Sequence, residues 1–151
     1  SSFFARPLAT LHFDYFASPD YLAAHGVPKT PANLQQHSTL ALTQSSPKTM
    51  AWHFPQHALS FTHKCIVDSP YVLRALAIAN QGICCLPTIM VSNEITANKL
   101  VKLFDGQYAF QQDLYGVYHS RRYVPNKVKL LLDEVEMLLQ ARIDSLEKGI
   151  K

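Results

Sequence analysis

Residues 69–87, Ser69-Pro70-Tyr71-Val72-Leu73-Arg74-Ala75-Leu76-Ala77-Ile78-Ala79-Asn80-Gln81-Gly82-Ile83-Cys84-Cys85-Leu86-Pro87, decide the fold of this 151-residue chain. Ser69 is a suitable N-cap, because its hydroxyl can accept from the free N–H groups of a first helical turn. Pro70 at the first helical position sacrifices no hydrogen bond. The following residues are apolar nearly all round apart from Arg74, which predicts a mostly buried helix. Gly82 is placed to end it in the left-handed conformation. Ile83-Cys84-Cys85-Leu86 is then a continuous apolar run, as expected of a strand covered on both faces of a parallel sheet. Helix followed by strand in this order is half of a βαβ crossover.

Working outward, residues 8–17 alternate. Leu11, Phe13, Tyr15 and Ala17 fall on one face, and Thr10, His12 and Asp14 on the other, which predicts a strand. Ser18-Pro19 repeats the cap-and-proline device and opens a helix from Pro19 to His25, stopped at Gly26. Thr30-Pro31 repeats it again and opens 32–36. Strands are predicted at 38–43, 50–54 and 64–67, with a loop at 44–48. A short helix is expected over 87–95, a half-covered strand over 100–104, a turn at Asp105-Gly106 and a strand over 114–118. Pro125 precedes the longest helix, to Glu147, with Val128, Leu131, Leu132, Val135, Leu138, Leu139, Ile143 and Leu146 on one stripe. Strands alternating with helices give the α/β class.

Bulk properties narrow the function. With 48% apolar and 17% charged residues the chain is an ordinary globular one, and a net charge of +3 makes no case for nucleic acid or an anionic membrane as a direct partner. No apolar run reaches the ~20 residues that span a bilayer. The start, Ser1-Ser2-Phe3-Phe4-Ala5-Arg6-Pro7, lacks both the pattern of a signal peptide and an initiating methionine, so residue 1 reads as a boundary within a longer protein. Three cysteines, two of them adjacent, do not make a disulfide framework, and the expected compartment is cytoplasmic.

Catalytic signatures are missing. There is no nucleophile elbow, P-loop or Gly-x-Gly-x-x-Gly, and no pair of carboxylates stands out. His53 and His57 are separated by Pro55, and His63-Lys64-Cys65 lacks a partner pair at finger-like spacing, so neither metal nor cofactor is expected. Cys84 and Cys85 read as inert core thiols. Arg121, Arg122, Lys127 and Lys129 form a small basic cluster that reads as a solvated face. What remains is the rule that ligands of doubly wound sheets sit outside the carboxyl ends of strands, near helix N-termini that favour anions. It nominates Val67, Asp68 and Ser69, with Gly82, Ile83 and Cys84 beside them; Ser69 as a simple helix cap is the competing reading.

Ala17-Ser18-Pro19-Asp20-Tyr21-Leu22, Gly26-Val27-Pro28, and Thr30-Pro31-Ala32-Asn33-Leu34-Gln35-Gln36-His37 together resemble a stretch of the LysR-type transcriptional regulators. Gly82-Ile83-Cys84-Cys85-Leu86-Pro87, Leu100-Val101-Lys102-Leu103-Phe104 and the segment 115–138 resemble three more, in the same order and covering nearly the whole chain. Two positions depart from the pattern: Asn80 stands where a glycine is usual, and His119 where a proline is common.

The resemblance implies an effector-binding region of two α/β lobes with a type 2 periplasmic-binding-protein-like fold, holding a small metabolite between them. It implies that 1–112 form the second, Rossmann-like lobe. Residues 113–151 would be the returning strand and C-terminal helix that normally pack on the first lobe. The chain would perform no catalysis, and would act on DNA only through a separate winged helix-turn-helix domain. The implied partner is a small effector, bound by Val67, Asp68, Ser69, Gly82, Ile83 and Cys84; the helix N-terminus there suits an anionic one. Without the first lobe, the apolar stripe of the C-terminal helix loses its partner, so the chain is expected to dock on a second copy through 113–147. The alternative is a solute-binding receptor of a transport system with the same two-lobe fold; an enzyme using the fold as a lid ranks last.

Overall fold

The computed structural model describes residues 3–43, 52, 54, 59, 61–118 and 125–149. They fall into two compact units, Phe13–Phe110 and Ser1–His12 with Gln111–Lys151.

Strand β1 (Phe4–Ala17) contributes its last five residues, from Phe13, to the larger unit. Helix α1 (Pro19–His25) follows, with the Ser18 hydroxyl accepting from the Tyr21 N–H at 3.2 Å and Gly26 in the left-handed region. A 3-10 helix, not an α-helix, spans Pro31–Gln36. Then come β2 (Thr39–Leu42), β3 (Cys65–Val67), α2 (Pro70–Ile78), β4 (Ile83–Pro87), α3 (Thr88–Thr96) and β5 (Val101–Lys102). The strand order is β3-β2-β4-β1-β5. β2 is parallel to β3 and β4, so β3-α2-β4 is a crossover; β1 is antiparallel to β4 and β5. The organising strand therefore has a parallel neighbour on one side only, which corrects the expectation of a parallel sheet. Of the predicted strand at 50–54 only Trp52 and Phe54 are described. Both are buried and neither lies in a strand.

Period two distributes the core. Tyr15, Ala17 and Ile83 join Tyr21, Leu22, Leu34, Trp52, Phe54 and Leu103 on one face of this sheet. Phe16, Leu40, Cys84 and Leu86 join Leu73, Ala77, Val91 and Leu100 on the other. Both faces of β1 are thus buried from Phe13 onward, including Asp14, which was expected on the polar face. Its carboxylate accepts from the Tyr15 N–H at 2.9 Å and lies 3.4 Å from the Lys102 ammonium. Burial pushes its pKa up against both contacts.

Helix α2 departs from its reading in three ways. It buries only one stripe, at Leu73 and Ala77, and leaves Tyr71 and Val72 exposed, because a single layer of sheet covers it from one side. Arg74, its polar exception, donates to the Met90 carbonyl at 2.8 Å and pairs with Glu94 at 3.5 Å, tying α2 to α3. The Ser69 side chain makes no capping bond. The helix also ends before Gly82: the left-handed residue is Asn80, with φ 63°, a conformation its short amide side chain tolerates. The Asn80 side-chain oxygen accepts from the Ser18 hydroxyl at 2.6 Å. Gly82 (φ 153°) is needed for proximity. A Cβ there would penetrate the Ser38 carbonyl, which is occupied in accepting from the Ile83 N–H at 2.9 Å.

In the smaller unit, β6 (Phe110–Tyr118) pairs with β1, and helix α4 (Asn126–Gly149) is the longest element, close to its predicted span. Ring contact of Phe4 with Tyr118 and a 2.8 Å bond from Thr10 to Asp113 follow the strand pairing. Arg6 bridges Asp133, at 2.6 Å, and Glu136 on successive turns of α4. The predicted apolar stripe of α4 divides. Ile143 is buried, and Val128, Leu132, Val135, Leu139 and Leu146 are partly so; Leu131 and Leu138 are exposed together with Leu130 and Met137.

Gly82→Ala is expected to cost about 3 kcal/mol in urea unfolding, because the new Cβ meets backbone that cannot yield. Gly116→Ala, whose Cβ would meet the mobile Leu132 Cδ2 at 2.8 Å, is expected to cost about 1 kcal/mol. Equal costs would show that the close approach to Ser38 does not constrain the fold.

Candidate functional site

The parallel strands β3, β2 and β4 share one carboxyl end, where Val67, Leu42 and Pro87 stand. Leu42 is in register with Val67, and the Thr43 N–H donates to the Val67 carbonyl at 2.6 Å, so the two strand ends are held together. Asp68 is exposed and Ser69 half-buried at the head of α2; the Ser69 carbonyl accepts from the Leu73 N–H at 3.0 Å, while its hydroxyl is not used as a cap. The helix N-terminus therefore offers its N–H groups and partial positive charge next to a side-chain hydroxyl.

The other three expected residues stand elsewhere. Ile83 is in register with Thr39 at the amino end of β2, three residues, or about 10 Å, from the level of Leu42 and Val67. Gly82 is buried, and Ile83 and Cys84 are wholly inaccessible. So the structure brings Val67, Asp68 and Ser69 together and holds Gly82, Ile83 and Cys84 as a second group toward the opposite end of the strands. A helix that connects two parallel strands has to start at one end of the sheet and finish at the other. Applied to β4, the carboxyl-end rule picks out Pro87 and Thr88 instead, residues the sequence had offered only as a helix start.

Cys84 and Cys85 project to opposite faces of β4, Cys84 into one core cluster and Cys85 against the other. Burial pushes the Cys84 thiol up to about 12. It also pushes Cys85 well up, with Cys84 and Asp14 adding to the effect. At neutral pH neither supplies a thiolate, the form that reacts with oxidants and metals. His53, His57, Arg121 and Arg122 lie outside the described residues. His63 bonds the Thr39 hydroxyl at 3.0 Å, and desolvation lowers its pKa. Among the described residues no three of His, Cys, Asp and Glu gather as a metal site. None of the described helices is long and apolar enough to cross a membrane.

Comparison with known proteins bears on this architecture. The family described as the LysR substrate binding domain matches residues 1–140. The HTH-type transcriptional regulator CrgA of Neisseria meningitidis serogroup C is 32% identical over 143 residues, a match covering 85% of this chain and 44% of CrgA. The chain thus spans about half the length of the curated relatives it matches. The solved CrgA regulatory domain superposes with a TM-score of 0.78 at 31% identity, over 92% of this chain and 70% of that one. The regulatory domain of AphB from Vibrio vulnificus superposes with a TM-score of 0.63 at 22% identity, over 89% and 68% respectively, a likeness of fold alone.

A thiol reagent applied to the native protein at mildly alkaline pH is expected to modify the partly exposed Cys65, to reach Cys85 more slowly because its thiol is held protonated, and to leave Cys84 untouched until the protein unfolds. Mass spectrometry of labelled peptides reads the result; rapid labelling of Cys84 in the native state would contradict its placement.

Proposed function

The chain belongs to the LysR substrate-binding domain family, and on that premise we propose that it senses a small metabolite and so controls DNA binding by another part of a longer regulator. Its fold is that of LysR regulatory domains, a periplasmic-binding-protein-like α/β fold. The unit Phe13–Phe110 corresponds to the second lobe of such a domain; β6 and α4 are the returning strand and helix that belong with the first lobe. The metabolite is held without chemical change. The relatives are transcription regulators, and a transport receptor draws no support from them. A regulator of this kind works in the cytoplasm, beside the DNA.

One observation carries the site assignment: three parallel strands end together at the head of α2, where Ser69 keeps its hydroxyl out of the cap. Val67, Asp68 and Ser69 contact the effector there, and Pro87 and Thr88 extend the wall. An anionic effector suits the free N–H groups of α2. Gly82, Ile83 and Cys84 act from behind by fixing β4 in the sheet. Binding biases the arrangement of lobes and subunits in proportion to the difference in effector affinity between the arrangements.

In the intact regulator, Ser69→Ala is expected to weaken effector affinity about tenfold, the loss of one hydrogen bond to a charged group. Calorimetry, with promoter response in parallel, measures it; affinity and response unchanged in the variant would remove Ser69 from the site.

The exposed Leu130, Leu131, Met137 and Leu138 of α4 form a docking face within 113–147. The isolated 151-residue chain is expected to dimerise through this face, with Leu131→Glu/Leu138→Glu shifting it to monomer in sedimentation. A monomer at every concentration would remove self-association from the proposal.

A further inference from the structure

Leu34, Gln35, His37, Thr39, Phe61 and Thr62 enclose a pocket of about 230 Å³ at the amino end of β2, away from Val67, Asp68 and Ser69. Leu34 and Thr39 close its floor and are themselves almost inaccessible. Gln35 and Thr62 are exposed at the rim, and His37 and Phe61 are half-buried in the walls.

The hydrogen bonds around His37 suit one tautomer of its ring. The Ser38 N–H donates to the Tyr21 phenol oxygen at 2.9 Å. The single phenol proton is then free to go to His37 Nδ1, 3.2 Å away. In the tautomer that accepts this bond at Nδ1, neutral His37 bears its hydrogen at Nε2. Desolvation lowers its pKa, and His25 of α1, stacked on Tyr21 and bonded through Nδ1 to the Tyr21 carbonyl at 3.0 Å, lowers it further. From β2, Thr39 faces His63 and engages its Nδ1. Among the described residues no carboxylate lines the pocket. Its side chains thus present N–H and O–H donors from His37, Gln35 and Thr62 next to the apolar surface of Phe61, with no negative charge to repel an anion.

We propose that this pocket is a second ligand site, for a small carboxylic acid whose carboxylate meets His37, Gln35 and Thr62 while its apolar tail lies on Phe61. The volume is below the ~300 Å³ at which sites for drug-sized ligands begin, so the ligand is small. A carboxylate at this position favours the imidazolium form of His37, and binding is accompanied by proton uptake. The site is independent of effector binding at the strand ends.

Phenylacetate is a suitable probe, with phenylacetamide as its uncharged counterpart. Saturable phenylacetate binding is expected, strengthening several-fold between about pH 7.5 and about pH 6 as His37 protonates. Calorimetry in buffers of different ionisation enthalpy should register the proton taken up. Gln35→Ala and Thr62→Val alter exposed side chains and leave the fold intact; each is expected to weaken phenylacetate about fivefold, and His37→Gln to abolish the pH dependence. In the same titrations Ser69→Ala should leave phenylacetate affinity unchanged. No saturable binding up to about 10 mM would overturn the proposal. So would equal binding of phenylacetamide, or insensitivity to both Gln35→Ala and Thr62→Val.

Discussion

The peptide groups on either side of Ser38 hold the larger unit in register. Its N–H is bound by the Tyr21 phenol of α1, and its carbonyl by the Ile83 N–H at the start of β4. Helix, incoming strand and returning strand therefore meet at one residue, and the contact requires that Gly82 lack a side chain. A second bond runs parallel to it, from the Ser18 hydroxyl to Asn80, joining the cap of α1 to the residue that turns the chain out of α2. The Ser38 contact pins β4 beside β2 at Thr39 and Leu40, while β3 is held to β2 by its own register, closed at the far end by the Thr43 N–H to the Val67 carbonyl.

Local signals and tertiary contacts account separately for what the sequence disclosed. Helix α1 runs from Pro19 to His25 as expected, because Ser18, Pro19 and Gly26 act within their own turns. Helix α2 begins where Ser69-Pro70 places it, but its end depends on partners distant in sequence. Asn80 is stabilised as the left-handed residue by Ser18, sixty-two positions earlier, and Gly82 answers to Ser38. Neither partner is visible in a window around residue 82. The reading of α2 as mostly buried failed for a related reason: composition reports that a helix is apolar, and only the layer order reports how many sides are covered. Asp14 was misplaced likewise. Alternation sorted it to the second face of β1 without showing that this face is also covered.

The residues expected at the site divide the same way. Val67, Asp68 and Ser69 follow from a rule about strand ends that needs only the order strand, helix. Gly82, Ile83 and Cys84 were set beside them because they follow the same helix, although a crossover helix carries the chain back to the opposite end of the sheet. The information was present in the topology. The arrangement of Tyr21, His37, Ser38 and Thr39 was beyond reach, since a proton's place on His37 depends on a phenol from α1 and an amide from the entry to β2. Spacing among histidines, the only signal the sequence offers, addresses metal binding and nothing else.

Helix α4 shows how far a unit of two strands and one helix can satisfy its own sequence. Arg6 fixes the helix to β1 through Asp133 and Glu136, and Gly116 lets Leu132 and Leu8 close over β6. One face of α4 is then spent. Leu130, Leu131, Met137 and Leu138 project from the rest, each at least 57% exposed, and Tyr115 and Val117 of β6 are exposed as well. Burying what these four side chains still expose is worth about 4–7 kcal/mol before the cost of association, a large share of the whole stability of a small domain. A helix with apolar residues on two faces needs a second covering layer, since the layered architectures that bury a helix completely place an element on each apolar face. The periodicity of Val128 to Leu146 described one broad stripe; within it only Ile143 is fully buried, and Leu131 and Leu138 stay exposed.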